Sequence, residues 1–467
     1  MFIATSLQDT IVALATAPGK AGVAVLRLSG PQAKAALTSV SGLQEPTPRT
    51  AHYLPFRGAD GIIDRGLALY FPAPHSFTGE EVVELHLHGS RAVVQEMLAI
   101  LTALPEVRLA EPGEFSRRAF LHGKMDLTEA EGLADLIDAE TRTQRQLALR
   151  QMSGELRLLY DGWRAQLLQA MALLEAYLDF PDEDIPPQVV VEMEQSVRAL
   201  QASITAHLAD NRRGERIRDG VHVAIIGPPN AGKSTLLNFL AQRDVAIVSE
   251  TAGTTRDIVE VHLELAGLPV TFADTAGIRQ STDAIEQEGV RRATARAGEA
   301  DITLAVLDIR TAAEDYPTIA PLLGEGAVVV LNKVDLARSC QLPVASLQKG
   351  NALRVGEKDA SNWQLATDNS LPLSLHTHEG TNALLTTLET MVRERFTPGH
   401  QPTLTRLRHR RALEATLMAL TQFAAEEAPE LRAENLRMAA GSLGSLTGHI
   451  SVEEILDQVF GQFCIGK

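Results

Sequence analysis

The chain has 467 residues, room for about three domains with ordinary cores. Its net charge of −16 argues against a broad electrostatic grip on nucleic acid, and two cysteines, Cys340 and Cys464, exclude a disulfide framework. The first ten residues lack the basic start of a secretory signal, no apolar run approaches the ~18 residues that span a bilayer, and a reducing, cytoplasmic setting is expected.

Residues 1–120 predict a small α/β domain. Residues 10–15 and 22–28 alternate as strands around the turn at 17–22; 66–71 and 82–88 read as further strands, and 92–104 as a helix. His86 and His88 fall on one strand face, but nothing beside them supplies the other ligands of a metal site. After Glu111-Pro112-Gly113-Glu114-Phe115 the period turns helical. Leu156, Leu159, Trp163, Leu167, Leu174 and Leu178 mark one long helix; Met193, Val197, Leu200, Ile204 and Leu208 mark a second, across the proline loop 180–187. Residues 121–218 are therefore the first part of a helical domain.

A different pattern starts at Val221. An apolar run to Ile226 leads into Gly227-Pro228-Pro229-Asn230-Ala231-Gly232-Lys233-Ser234-Thr235, and a helical period follows. Strand, glycine loop and helix make a P-loop: backbone N–H groups and the helix N-terminus face phosphate, Lys233 reaches the β- and γ-phosphates, and Ser234 offers a hydroxyl to Mg²⁺. Gly253-Thr254-Thr255-Arg256-Asp257 is a candidate switch, with a polar surface turn as the plainer reading. A strand at 268–273 ends at Asp274-Thr275-Ala276-Gly277, where an aspartate serves Mg²⁺ and a glycine lets the backbone approach the γ-phosphate. Strands at 302–309 and 327–331 follow, the second ending at Asn332-Lys333-Val334-Asp335. Asp335 accepts from N1–H and the 2-amino group of guanine, and Asn332 takes the purine's Hoogsteen edge and pins the loop. Discrimination against ATP of roughly 10⁴-fold follows from leaving such groups unpaired. Ser374-Leu375-His376 occupies the place of the last base-contacting loop, a loose match to Ser-Ala-Lys/Arg.

The ordered set predicts a P-loop (Ras-like) GTPase domain over 219–380 that binds GTP. Ile278 stands where a glutamine usually orients the attacking water, so another group must act; Arg279, Asp283, Glu286 and Glu288 are the polar residues at hand. Residues 337–370 are polar and irregular. Helical period returns at Leu413, Leu417, Leu420 and Phe423, and Ser451-Val452-Glu453-Glu454 forms a capping box. Residues 381–467 thus complete a discontinuous helical domain into which the GTPase domain is inserted. Arg406, Arg408, Arg410 and Arg411 around His409 are a local basic patch, read here as a solvated first helical turn. The closing Cys464-Ile465-Gly466-Lys467 fits a prenylation box poorly.

Other stretches carry a resemblance that runs end to end. The opening Ala17-Pro18-Gly19-Lys20-Ala21-Gly22-Val23-Ala24-Val25-Leu26-Arg27-Leu28-Ser29-Gly30, Ser76-Phe77-Thr78-Gly79-Glu80-Glu81, Glu111-Pro112-Gly113-Glu114-Phe115-Ser116, Lys124-Met125-Asp126-Leu127-Thr128-Glu129-Ala130-Glu131, the Phe180-Pro181-Asp182-Glu183 loop and the Cys464–Lys467 tail resemble the MnmE (TrmE) family of tRNA-modification GTPases. The resemblance implies an N-terminal domain that binds 5-formyltetrahydrofolate or a related folate through Arg27, Glu84, Lys124 and Lys467 and mediates homodimerisation. It implies K⁺ held by Asn230 and by backbone oxygens of Ser249, Thr251 and Thr254, in place of an arginine finger. By the same carry-over Mg²⁺ takes Ser234 and Thr255, and Glu286 orients water beside the catalytic Lys233 and Asp274. The nucleotide is framed by Asn230 to Thr235, by Ser249, Glu250, Thr251, Ala252, Gly253, Thr254 and Thr255, by Asp274, Thr275, Ala276 and Gly277, by Asn332, Lys333 and Asp335, and by Ser374, Leu375 and His376. The implied reaction adds an aminomethyl or carboxymethylaminomethyl group at carbon 5 of the wobble uridine of certain tRNAs, with MnmG (GidA) bringing FAD and NADH. Cys464 is then a candidate nucleophile or acid, or only a packing residue. A signalling or ribosome-assembly GTPase would share the nucleotide motifs but not the flanking ones, and basic, apolar surface helices of a dynamin-like protein are missing.

Overall fold

The computed structural model describes residues 8–179, 187–243, 260–274, 300–324, 326–337, 370–397, 399, 402–449 and 453–466. The chain forms two compact units: Met1–Ile137 with Ala148–Thr205 and Arg411–Lys467, and Asp138–Leu147 with Ala206–Arg410.

In the first unit, β1 (Thr10–Leu14), β2 (Ala21–Ser29), α1 (Ala33–Ser41), β3 (His52–Gly58), β4 (Gly61–Phe71), β5 (Val82–Gly89), α2 (Arg91–Thr102) and β6 (Val107–Leu109) come first. Their strands form one sheet in the order β3-β4-β5-β2-β1-β6. Neighbours are antiparallel except β1 and β6. Side chains alternate across each strand, so Leu26, Leu28, Tyr70, Val83 and Leu85 turn inward to pack with Leu37 and Val40 of α1 and Met97 and Leu101 of α2. The opposite set stays partly open: Val23 is 54%, Tyr53 67% and Leu67 39% exposed. Sequence patterning missed α1, β3, β6 and the first half of β4. β3 carries Pro55, which a sheet tolerates at its edge, and α1 is nine residues long with serine, threonine and valine among them.

The chain continues through α3 (Glu114–Leu121), α4 (Leu127–Ile137), α5 (Arg142–Met152), α6 (Glu155–Asp179) and α7 (Pro187–Leu208), of which α5 up to Leu147 and α7 from Ala206 are assigned to the second unit. The buried stripe of α6 runs through Leu156, Tyr160, Trp163, Leu167, Ala170 and Leu174, so Tyr160 takes the place expected for Leu159, and Leu178 lies outside it. Each large apolar side chain withdrawn there contributes about 1.5–3 kcal/mol.

The second unit is built from α8 (Arg213–Asp219), β7 (Val221–Ile226), α9 (Lys233–Ala241), β8 (Glu260–Leu265), β9 (Leu268–Asp274), β10 (Ile302–Asp308), α10 (Ala312–Ile319), β11 (Val328–Asn332), α11 (Val334–Ala337), β12 (Ser370–Pro372) and α12 (Thr381–Phe396). Its sheet has the order β12-β11-β10-β7-β9-β8, parallel except for the β8–β9 hairpin. Every residue of β10 and β11 is buried, as expected of parallel strands covered on both faces. Leu236, Leu237 and Leu240 of α9 and Leu384, Leu388 and Val392 of α12 cover one face; Ala312 and Ile319 of α10 cover the other. β7 lies between β9 and β10, so the chain leaves its carboxyl end at the point where strand order reverses, the usual ligand crevice of such sheets.

The chain closes with α13 (Leu407–Ala425), α14 (Pro429–Thr447) and α15 (Glu453–Phe460). α14 packs along α6, with Arg437 joining Glu175 at 3.1 Å. The capping-box residues Ser451 and Val452 and the proline loop 180–186 lie outside the described residues.

Candidate functional site

The nucleotide motifs converge at the carboxyl ends of β7, β10 and β11. After Ile226 the backbone turns through Asn230 (φ 63°) and Gly232 (φ 106°) into α9. A Cβ at Gly232 would overlap the side-chain amide of Asn332, so this position tolerates only glycine. Lys233, 6% exposed, folds back over its own loop and donates Nζ to the carbonyls of Gly227 and Pro228, both at 2.8 Å. Ser234 and Thr235 follow on the exposed side of the first turn of α9, and Ala231 is buried.

Asn332 ends β11 almost fully buried and donates Nδ2 to Ala231 O at 2.8 Å, which pins the P-loop as expected. Its Oδ1 is buried without a partner, an acceptor available to a ligand. Lys333 (φ 66°) donates Nζ to Asn230 O at 2.7 Å and to Asp308 Oδ2 at 2.9 Å. Asp308 also takes Arg310 Nη2 at 2.6 Å; that bond, opposed by burial and aided by Lys333, holds the carboxyl well below the usual range. Sequence reasoning did not single out Asp308, which lay inside the strand expected at 302–309; the structure ends that strand at Asp308. Asp335 Oδ1 accepts from Ser374 Oγ at 2.6 Å, joining two motifs 39 residues apart. Ser374 is fully buried, and Leu375 is buried while His376 is exposed. The loose tripeptide therefore supplies a real contact through its serine.

Asp274 closes β9, in register with Ile225 of β7. Ser249, Glu250, Thr251, Ala252, Gly253, Thr254, Thr255, Thr275, Ala276, Gly277, Ile278, Arg279, Asp283, Glu286, Glu288 and Lys467 lie outside the described residues.

In the first unit Arg27 of β2 and Glu84 of β5 are cross-strand partners. Arg27 Nε donates to Glu84 Oε1 at 3.0 Å, and Nη2 lies 2.9 Å from the same oxygen. Glu84 Oε2 faces His86 Nε2 at 3.5 Å, while His88 pairs with Asp64 at 2.8 Å. Among the described residues no three side chains are grouped to hold a metal ion. Lys124 is exposed at the turn before α4. The tail is docked: Ile465 bridges Pro112, and buried Gly466 lies against the carbonyl of Leu14. Cys464 is exposed and free.

Two family models match the chain, "GTP-binding protein TrmE N-terminus" over residues 10–124 and "MnmE helical domain" over 127–464. The "tRNA modification GTPase MnmE" of Paramagnetospirillum magneticum is 50% identical over 466 residues, covering 99% of this chain and 100% of the relative. That of Parvibaculum lavamentivorans is 49% identical over 466 residues, covering 98% and 100%. The chain belongs to the MnmE family of tRNA modification GTPases. The MnmE relative from Rhodospirillum rubrum, 48% identical over 475 residues, covers 98% of this chain and 99% of its own length. As an MnmE-family member the protein is a GTP hydrolase acting in tRNA modification, and the nucleotide of such a G domain is used with Mg²⁺. Among the described residues no helix is long and apolar enough to cross a membrane.

The basic patch of this MnmE-family chain is only partly the solvated turn expected: Arg411 is exposed and Arg408 half-buried. Arg406 and His409 are buried. Arg410 donates Nη1 to Leu208 O at 3.0 Å, Nη2 to Asp210 at 2.7 Å and Nε to Glu215 at 2.8 Å. Arg410, which reads as part of a surface stripe in sequence, is spent on internal carboxylates, because α8 brings Glu215 beneath it.

Asp126, before α4, forms a reciprocal cap: its Oδ1 accepts from Glu129 N at 2.7 Å and from Thr128 Oγ1 at 2.8 Å. Its Oδ2 is buried without a partner, and burial, outweighing these bonds, pushes the carboxyl up to about 6. The folded value exceeds the unfolded one, so the protonated form favours folding, and stability falls as pH rises from about 4 to about 6. Asp126→Asn keeps a capping oxygen and is expected to raise stability at pH 8 by on the order of 2 kcal/mol, with the gain vanishing near pH 4. Urea unfolding at the two pH values checks this; equal gains at both would contradict it.

Proposed function

We propose that the protein is a K⁺-dependent GTPase that works as a homodimer with MnmG (GidA) to add an aminomethyl or carboxymethylaminomethyl group at carbon 5 of the wobble uridine of certain tRNAs. FAD and NADH enter through the partner, and a formylated tetrahydrofolate binds the N-terminal domain. The observation that carries the guanine-nucleotide part is the joining of Asn332 to Ala231 and of Asp335 to Ser374, which brings the phosphate loop and the base-reading motifs together at the carboxyl end of one sheet.

In this reading Lys233 leaves the carbonyls of Gly227 and Pro228 for the β- and γ-phosphates. Asp335 accepts from the guanine edge while Ser374 holds it in orientation. Ser234 and Thr255 would hold Mg²⁺; Asn230, with Ser249, Thr251 and Thr254, would hold K⁺. The two ions supply positive charge to oxygens that gain negative charge during transfer. Glu286 would orient the attacking water, and Asp274 sits at the strand end beside the loop.

Homodimerisation is supported by the exposed apolar side chains Val23, Tyr53 and Leu67 on the partly open sheet face, which pairing would cover. Folate binding is supported by Arg27 and Glu84 standing together on that sheet with Lys124 nearby in the fold: guanidinium and ammonium for the glutamate tail, carboxylate for the pterin edge.

GTP turnover in matched KCl and NaCl tests the ion. K⁺ is expected to raise the rate at least tenfold or so, the scale of one charge-stabilising contact, with Asn230→Ala abolishing the difference. Equal rates in both salts would leave the missing glutamine to be replaced by Arg279 or a partner's group.

A further inference from the structure

One short loop touches every described residue of the candidate folate site except Glu84. Ser76-Phe77-Thr78-Gly79-Glu80-Glu81 joins β4 to β5, and its Phe77 ring lies 5.6 Å from the Arg27 guanidinium. Phe115 of α3 flanks the same guanidinium at 5.8 Å. Gly79 (φ 84°) lies against the turn before α4: a Cβ there would come within 2.8 Å of His122 Cβ and 3.3 Å of Lys124 Cε. A bare residue is thus what lets the Lys124 side chain run over the loop.

The loop is anchored from beneath by a charge no nucleotide or folate role has used. Arg118 of α3 is 2% exposed and donates Nη1 to both Glu80 oxygens at 3.2 Å and to Asp9 O at 2.8 Å. Its Nη2 reaches Asp9 Oδ1 at 2.7 Å and Glu114 Oε1 at 3.0 Å. Arg108 closes the network on Asp9 and Glu114, both at 2.6 Å. Ser29, two residues along β2 from Arg27, donates to Glu80 Oε2 at 2.6 Å, and Tyr70 donates to Glu81 at 2.7 Å. A buried arginine with this many charge-assisted bonds leaves the loop little freedom.

We propose that the Ser76–Glu81 loop, locked by Arg118, is the positioning element of the folate site: Phe77, beside Phe115 in one apolar cluster, sets the direction of Arg27, and Gly79 seats Lys124. The proposal rests on the reading of Arg27 and Lys124 as folate contacts. A guanidinium held by its Glu84 pair alone keeps rotational freedom that it loses on meeting a ligand carboxylate; one also packed against two rings meets it ready-made.

Two readouts on the full-length protein separate the parts. With ¹⁵N-labelled arginine, the Arg27 Nε–H resonance, assigned with Arg27→Ala, reports ring-current shielding without any ligand. Calorimetry with 5-formyltetrahydrofolate reports affinity. Phe77→Leu is expected to move the resonance and to weaken binding roughly five- to tenfold, the scale of one cation–π contact, whereas Phe77→Tyr keeps the ring and restores both. Glu80→Gln, which loosens the loop without touching either ring, is expected to give the same two changes at smaller size. Phe77→Leu behaving as wild type in both readouts, or Phe77→Tyr weakening binding as much as Phe77→Leu, overturns the proposal. A resonance that moves while neither wild type nor variant binds the folate sinks the folate reading and leaves the placement of Arg27 standing.

Discussion

Lys233→Ala is expected to lower single-turnover GTP hydrolysis by roughly 10²–10³-fold or more, the loss seen when one preorganised charge stabiliser is removed. The side chain is nearly buried, and its ammonium is satisfied by two loop carbonyls at 2.8 Å. Those acceptors fix the ammonium over the loop before nucleotide arrives, so little reorganisation is needed when phosphate replaces them. Alanine removes both the charge and the tether. The fold should survive, because the core beneath α9 is made by Leu236, Leu237 and Leu240, none of which touches the change in chemistry. A variant that turns over GTP within threefold or so of wild type would mean that the loop binds phosphate by backbone alone.

Asp335→Asn is expected to weaken GTP binding by roughly 10²–10⁴-fold and to open the site to xanthosine triphosphate. A carboxylate matches the N1–H and 2-amino donors of guanine. An amide cannot accept from both and leaves a buried donor facing a donor, but it complements the 2-carbonyl of xanthine. The 2.6 Å bond from the buried Ser374 hydroxyl fixes the rotamer of Asp335, so the substituted side chain is held in the same plane. Competition binding with the two triphosphates checks the switch. Loss of GTP affinity with no gain for the xanthine nucleotide would show that Asp335 acts on the loop and not on the base.

The nucleotide site was legible because its chemistry is local. A phosphate loop needs glycine, lysine and a hydroxyl within a few residues, and the guanine-reading Asn332-Lys333-Val334-Asp335 is likewise one contiguous turn at a strand end. The largely apolar, β-branched β10 and β11 announced a buried parallel sheet by composition alone. Less regular elements were lost: the edge strand β3 with Pro55 and the short helix α1 owe their form to the neighbours they cover rather than to their own period. The stripe of α6 slipped by one residue, since leucine and tyrosine both fit a buried face and only the helices packed against it decide which is used.

What the amino-acid order alone determined is therefore the kind of chemistry: a guanine-nucleotide site with lysine, hydroxyl and aspartate at fixed spacing, and the family to which the flanking motifs belong. What only the tertiary structure decided is which charged groups are already spoken for. Arg410 looked like a surface cation and is consumed by Asp210 and Glu215; Arg118, which no sequence pattern marked, lies buried among three carboxylates. Arg27 and Glu84, 57 residues apart, meet because β2 and β5 pair in one register. Spacing along a chain encodes local geometry, whereas the partner of a charge is set by which distant segment the fold brings within about 3 Å of it.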